Sequence, residues 1–434
     1  YDITHGSYII KFRGLNMQFK QITADEFMKF EAHHPQGTFY QTSYQAEVLS
    51  ERGSSTGYVG VTDDSGALIA GAMYSQRKLR VGYLFEVTSG PLMDYDNKPL
   101  VHFFADQMTA YCKSKKGLLL RWLPNLFIKE YGDEGQLLSE ANQSAVPNLE
   151  AADFSYTPVT PVGNDGHFSK VSLGYQFVKP LTDLTEETLH QSYRKPVKSA
   201  LKKAPAYGVK LRQIGYDELD KFQKYTTATA DRRGFKDKPL DYYQKCYKAF
   251  GDNIKFIFAE LNLPDFIQEQ KDTILKIQEN IAKEEAALID YPDSKSHKTK
   301  KAQFEKQVAP HEKHIQIAKD LRAKYGDIAV PAGAMFVIQP QEIAYAFSFT
   351  NEDFKIFLAP YVIQNHMLTE GVKQHITNYN FYGVTGTFDG KDGVLRFKQG
   401  FSGSTFETIG VFERPVRPFM YKCVTGLQHL LGRA

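Results

Sequence analysis

One succession of elements occurs twice along the chain, and it limits the fold more than any other feature. In the first half, residues 57–61 read as a strand, Asp63-Asp64-Ser65-Gly66 as a turn and residues 67–73 as the return strand. A further strand at 81–87 follows, then a helix at 99–115 with Val101, Phe104, Met108 and Tyr111 on one side, then a buried strand at 117–122. In the second half, strands at 254–261, 329–338 and 342–350, the last two joined by Gln339-Pro340-Gln341, precede a helix at 360–374 and a strand at 379–384. The shared order predicts two copies of one α/β module without obvious sequence identity. A chain of 434 residues, 42% hydrophobic and 24% charged, can fill two such cores.

The second copy is interrupted. Ile274, Ile277, Ile281 and Leu288, then Phe304, Val308, His311, Ile315 and Ala318, recur at the three- and four-residue steps of a coiled-coil seam. The turn Tyr291-Pro292-Asp293-Ser294-Lys295-Ser296 lies between them. Two antiparallel helices of about 25 residues, each roughly 35–40 Å long, should therefore protrude as an arm. Pro310 inside the second helix should kink or unwind it. The expected division is an N-terminal module at 17–176, a C-terminal module at 177–263 and 327–416, the arm at 264–326 and a C-terminal helix at 417–434. Residues 1–16 precede Met17, which makes sense as a natural start, so they are expected to be a leader or an added extension outside the fold. Helices are expected at 24–32 and near 44–49, and residues 132–168, polar and loop-rich, should be peripheral.

Several kinds of chemistry are excluded. Cys112, Cys246 and Cys423 are far apart and form no C-x-x-C, which argues against a disulfide framework or zinc site and fits a reducing cytoplasm. No apolar run approaches the length of a membrane span. There is no G-x-S-x-G elbow, H-E-x-x-H pair or phosphate-binding G-x-x-x-x-G-K-[ST] loop, and His33-His34 lacks supporting ligands. Neither a metal nor a covalent nucleophile is expected. The formal net charge is +3, so any nucleic-acid partner must be read from local clusters. One cluster is a helix beginning at Thr185-Glu186-Glu187 and divided by Pro196. Leu189, Tyr193, Val197 and Leu201 would face the core, leaving Arg194, Lys195, Lys198, Lys202 and Lys203 outward; such a face suits a phosphate backbone or is an ordinary solvated surface. A second candidate is Thr229-Ala230-Asp231-Arg232-Arg233-Gly234-Phe235, followed by Asp241-Tyr242-Tyr243, where an arginine fork could hold a phosphate or carboxylate or merely pair on the surface.

The stretch Tyr379-Asn380-Phe381-Tyr382-Gly383-Val384-Thr385-Gly386-Thr387-Phe388, then Gly393-Val394-Leu395-Arg396-Phe397-Lys398-Gln399-Gly400-Phe401, reads by itself as an apolar strand, a glycine loop and a surface lysine. With Thr408-Ile409-Gly410-Val411-Phe412 it resembles the C-terminal part of the FemABX aminoacyltransferases, and the resemblance runs from about Met17 to the C-terminus, nearest to arm-bearing members. The module pattern suits the GNAT acyltransferase fold, and the resemblance implies a tandem pair. It also implies transfer of an amino acid from aminoacyl-tRNA to an amine of a lipid-linked peptidoglycan precursor. No cofactor is implied beyond that co-substrate, and the setting would be cytoplasmic, peripheral to the membrane. Phe397 and Lys398 match the family's catalytic pair, with the lysine stabilising developing charge. Thr229, Arg232, Arg233, Tyr242, Tyr243, Tyr382 and Gly383 carry over as substrate-binding residues, and Arg194, Lys195, Lys198, Lys202 and Lys203 as the tRNA-binding helix. Some members place an acceptor-binding lysine a few residues beyond the equivalent of Gln41; here Glu47, Val48 and Leu49 stand there. Two alternatives compete: a GNAT-like acyltransferase with another amine acceptor, weakened by the missing acetyl-CoA loop, and a non-enzymatic RNA-binding or coiled-coil adaptor, which has no need of the Phe397-Lys398 pair.

Overall fold

The computed structural model describes residues 9–12, 15–161, 174–234 and 236–430. The chain opens with β1 (Ile9–Phe12) folded back on β2 (Leu15–Gln21), so part of the stretch expected to lie outside the fold forms an edge strand. Then come α1 (Ala24–Glu31), α2 (Ser43–Glu51), β3 (Ser55–Thr62), β4 (Leu68–Lys78), β5 (Tyr83–Thr88), β6 (Leu92–Met93), α3 (Lys98–Ser114) and β7 (Gly117–Leu123). Helix α1 starts at Thr23 because its hydroxyl takes the Glu26 amide while the Glu26 carboxylate takes the Thr23 amide. Next are β8 (Phe127–Tyr131), β9 (Leu137–Glu140), α4 (Ala145–Ala151), β10 (Ser155–Thr157), β11 (Tyr175–Pro180), α5 (Glu186–Ser192), α6 (Lys195–Lys203), β12 (Lys210–Gln213), α7 (Leu219–Arg233) and α8 (Leu240–Phe250). The remainder is β13 (Ile254–Asn262), α9 (Leu263–Asp290), α10 (Lys295–Tyr325), β14 (Ile328–Ile338), β15 (Glu342–Thr350), α11 (Ala359–Lys373), β16 (Asn378–Val384), α12 (Gly393–Gln399), β17 (Ser404–Thr408), β18 (Val411–Pro415) and α13 (Pro418–Leu430).

These strands make two mixed sheets. The first runs β1-β2-β3-β4-β5-β7-β18-β10, with β6 on β4; the second runs β12-β13-β14-β15-β16-β11-β17-β8-β9. In each, two strands lie parallel across a helical crossover: β5 and β7 around α3, β15 and β16 around α11. The repeated order of elements thus becomes two GNAT-type modules. Their strands do not follow the sequence division. Strands β8 and β9, from the first part of the chain, extend the second sheet, while β18, near the C-terminus, inserts between β7 and β10 of the first. Residues 137–157 also add more than periphery: Ala145, Leu149, Ala152 and Phe154 pack into the first core around Trp122.

The arm leaves at the end of β13 and returns at the start of β14, strands that pair antiparallel. Helices of 28 and 31 residues reach about 42 and 46 Å. The seam residues are buried or half-buried, while most of the residues between them are exposed. Helix α10 runs unbroken through Pro310. The proline sits on the exposed side, away from the seam, where water can take the carbonyl it leaves unbonded. The arm's base is no loose appendage: Phe266, Ile267, Ala318 and Leu321 share a core with Phe354 and Phe357.

Candidate functional site

The two parallel pairs differ where it matters. Strands β5 and β7 stay paired along the whole of β5, with one shift of register between Tyr83 and Leu84. Strands β15 and β16 pair at three positions, Glu342–Asn378, Ile343–Tyr379 and Ala344–Asn380. Beyond these, β15 follows β14 to Thr350 and β16 follows β11 to Val384, so a gap opens between them. Both walls are irregular. Ala346 bulges out of register between Tyr345 and Phe347. On β16 two residues, Phe381 and Tyr382, stand against Phe177 alone, and Tyr382 takes φ +57°. Such bulges re-aim backbone and side chains at sites of function, and a non-glycine left-handed residue costs about 1–3 kcal/mol.

Lys398 maintains that conformation. It is not on a glycine loop: Asp392 caps α12 by accepting the Val394 and Leu395 amides, and Lys398 projects from that helix with 5% exposure. Its Nζ donates to the carbonyls of Phe381 (2.8 Å), Tyr382 (3.0 Å) and Gly383 (2.7 Å). All three ammonium protons are thereby committed, so the group is a clamp on the β16 wall rather than a free donor aimed at a substrate. Burial pushes its pKa down to about 7; Asp392 opposes this and the Arg233 charge adds to it. Phe397 packs on Tyr361 and Phe401.

Arg233, at the end of α7, lies close enough to Tyr345 and Lys398 for its charge to act on both. Arg232 turns away to the Thr350 carbonyl and Glu352. The structure therefore separates the two adjacent arginines, with Arg233 by the gap. Thr229 is buried one turn before it. Phe235 lies outside the described residues. Tyr243 is a core residue, its hydroxyl donating to Asp237 Oδ1 (2.7 Å). Tyr242 packs edge-on against Phe347 of β15, under the cations of Arg52 and Lys238.

Sequence reasoning missed the acidic side of the site. Glu342 opens β15 and accepts from Thr38 Oγ1 and the Tyr382 hydroxyl (both 3.2 Å) and from Asn380 Nδ2 (3.0 Å). Burial raises its pKa, against these bonds. Glu31 of α1 is 0% exposed, and neither carboxyl oxygen has a hydrogen-bond partner. Burial, with a smaller contribution from the Glu342 charge, pushes it up to about 8; the Thr38 amide approaches and offsets part of this without closing a well-formed bond. Beside them, Gln341 Nε2 donates to the carbonyls of Glu31, Ala32 and His34. The Tyr382–Glu342–Thr38 chain thus ties the gap to the junction between modules. The available signal was Asn380, a polar residue within an otherwise buried aromatic strand. Gln41 is structural: its amide brackets Met73 and accepts no ligand, since both ends are bonded to backbone.

The basic helix forms as expected, with Leu189, Tyr193 and Val197 buried and Lys195, Lys198, Lys202 and Lys203 exposed on α6. Arg194 is taken by an ion pair with Asp133, and Lys198 donates to the Gln191 carbonyl. Two hollows flank α6. One of about 490 Å³ is lined by His190, Tyr193, Lys198, Val362 and Asn365; one of about 570 Å³ lies between Lys202, Lys203 and the arm residues Gln270, His311 and His314. Among the described residues no cluster of three or more His, Cys, Asp or Glu could hold a metal ion, and no helix is long and apolar enough to cross a membrane.

Two GNAT-type modules, one with its parallel strands sealed and one with them parted beside a basic helix, define a tandem acyltransferase architecture. The FemAB family model matches residues 22–429, and the chain belongs to that family. Aminoacyltransferase FemA of Staphylococcus aureus (strain bovine RF122 / ET3-1) is 26% identical over 422 residues, which cover 96% of this chain and 100% of that protein; FemA of strain MW2 aligns to the same extent. The crystal structure of FemX superposes with a TM-score of 0.75 over 94% of this chain and 99% of that one, at 19% identity.

Proposed function

We propose that the chain is an aminoacyltransferase that moves an amino acid from its tRNA ester to an amine on the peptide stem of a lipid-linked peptidoglycan precursor, building the interpeptide bridge. The observation that carries this reading is the gap between β15 and β16, open beside a basic helix in a member of the FemAB family. The ester is already activated. The amine nitrogen attacks its carbonyl carbon, a C–N bond forms, the tetrahedral oxyanion collapses, and the bond between the acyl carbon and the ribose oxygen breaks as the amine's proton leaves and the ribose oxygen gains one. No cofactor is called for beyond the aminoacyl-tRNA. Lys398 acts as a positioning residue: it sets the Phe381–Gly383 wall beside which the oxyanion forms. Phe397 holds α12 against the core. Arg233, with Tyr242 and Tyr382 lining the approach, meets an anionic group of the precursor, while Thr229 and Tyr243 support α7 and α8 beneath them. Lys195, Lys198, Lys202 and Lys203 receive the tRNA backbone. The work is done in the cytoplasm, at the membrane surface where the lipid-linked substrate lies.

Purified protein is incubated with aminoacyl-tRNA and the lipid-linked precursor. Precursor-dependent discharge of the tRNA with a new amide on the stem is expected. Discharge to an unrelated amine but not to the precursor, or none at all, refutes the reading. Glutamate at Lys195, Lys198 and Lys202 should weaken tRNA binding and flatten its salt dependence; unchanged affinity and slope remove α6 from the donor site.

A further inference from the structure

One end of the first module gathers a charge that the candidate site does not use. Leu79 N–H closes on the Gly82 carbonyl, making the tight β4–β5 turn, and Gly82 lies against the Lys116 carbonyl at the end of α3. The Arg417 guanidinium donates to the Lys113 carbonyl (3.1 Å), seating the start of α13 on the same α3 terminus. Three segments distant in sequence thus converge. They bring Arg77, Lys78, Arg80, Lys113, Lys115, Lys116, Arg417 and Lys422 to one pole; none has a carboxylate partner among the described residues, and all but half-buried Arg417 are exposed. The nearby acids are already engaged: Glu413 with Arg121, and Asp106 and Asp153 with Arg414. Apolar side chains stand out from this field. Phe419 is 84% exposed, Val81 40% and Met420 37%.

We infer that this pole docks on an anionic lipid bilayer, with the Lys and Arg side chains at the headgroups and Phe419, Met420 and Val81 entering the interface. Cations ringing a protruding aromatic on a surface helix match an interfacial membrane site. A net charge of +3 shows how unevenly the charge is placed. Nucleic acid would use the cations equally well but leaves Val81 and Met420, which offer no ring to stack, without a role. The surface stands on its own chemistry; the proposed function supplies only the reason such a protein would meet a bilayer.

The test uses the full chain and vesicles rich in phosphatidylglycerol, or of phosphatidylcholine alone. Sedimentation with the anionic vesicles, weakening as salt rises, is expected. A basic side chain near an anionic surface contributes roughly fivefold, so Lys113→Gln/Lys115→Gln/Lys116→Gln should lower the partition about a hundredfold. Phe419→Trp should show a blue shift on anionic vesicles, since the chain's one native tryptophan, Trp122, is buried in the first core and will not respond. Equal binding to both vesicle types, no shift at position 419, or full binding by the triple variant overturns the inference. So does loss of tRNA binding by that variant with vesicle binding intact, or vesicle binding that instead follows the arm-tip residues Ile289 and Tyr291. A chain that sediments but transfers nothing to the precursor refutes the proposed function and leaves this surface standing. One that modifies a lipid-free precursor and never sediments does the reverse.

Discussion

Replacing Lys398 by methionine separates a clamp from a direct donor. The substitution keeps an unbranched stem in a closely packed place but removes three bonds. The Phe381 and Tyr382 carbonyls are sealed from solvent, whereas that of Gly383 is partly open. A buried unbonded carbonyl costs about 1–3 kcal/mol, so the two sealed ones cost roughly 2–6 kcal/mol. The backbone can escape part of this by letting Tyr382 leave its left-handed conformation, which returns about 1–3 kcal/mol. The net loss is on the order of 1–3 kcal/mol, a fall in Tm of several degrees for a module of this size. Relaxation also moves Tyr382, and with it the bond to Glu342, so the wall of the gap is rebuilt. Transfer should fall by at least about a hundredfold, with KM for the precursor raised as well. Burial holds Lys398 near pKa 7, so unfolding takes up a proton between about pH 7 and 10.5. Wild-type stability should therefore gain on that of the variant as pH rises through this window. Calorimetry and steady-state transfer on one preparation decide the matter. A lost kcat with Tm and KM unchanged makes Nζ a direct substrate contact and refutes the clamp. Wild-type transfer by folded variant removes Lys398 from the site altogether.

Arg233→Ala should raise KM for the precursor at least tenfold, while Arg232→Ala, which loses an exposed carbonyl contact and ion pair, should change it less than twofold; the reverse order in steady-state kinetics would assign the site to the wrong arginine. Glu31 is protonated in the folded protein below about pH 8 and ionised in the unfolded chain above about pH 4.5, so stability falls as pH rises across that window. Glu31→Gln should be close to neutral at pH 5 and stabilising at pH 8, with an upper limit of about 5 kcal/mol; urea midpoints that move in parallel at both pH values would disprove the buried acid. Replacing residues 279–302 with a short Gly/Ser turn, in register with the Gln270–His311 and Glu284–His297 contacts, should leave circular dichroism cooperative because the buried arm base is kept, whereas removing 266–324 should expose Phe354 and Phe357 and cause aggregation.

The elements that could be read from the sequence are those whose signal is local. The Asp63–Gly66 turn and the seam at Ile277, Ile281, Val308 and His311 lie within a few residues of their cause, and the β13–β14 pairing was legible because the arm between them closes on itself. The exchange of β8–β9 and β18 between sheets was not legible. Phe412 pairs with Trp122 and Glu407 with Lys129 across about two thirds of the chain, and alternating strands fit either sheet equally well. Residues 9–12 were set aside on position, whereas their pairing with β2 needs only backbone. Pro310 misled because proline's effect depends on which side of a helix it occupies, and the seam puts it outside.

The site itself was half legible, and the half that failed shares one cause. Lys398 was identified by its motif but assigned to a surface because lysines are rarely buried, and the α12 that buries it is a seven-residue helix between Gly393 and Gly400 that reads as loop. Glu31 and Glu342 went unnoticed for the same reason: a carboxylate in a polar stretch is ordinary unless the fold removes its water. Here the fold does so at both ends of one strand pair. Tyr382 is held from its backbone by Lys398 and from its hydroxyl by Glu342. A cation and an acid, each shifted toward neutrality by burial, thus fix the same residue from opposite sides of the sheet. That arrangement keeps the left-handed Tyr382 in place while leaving little net charge to attract water into the gap, which is what aminolysis of a water-sensitive ester requires.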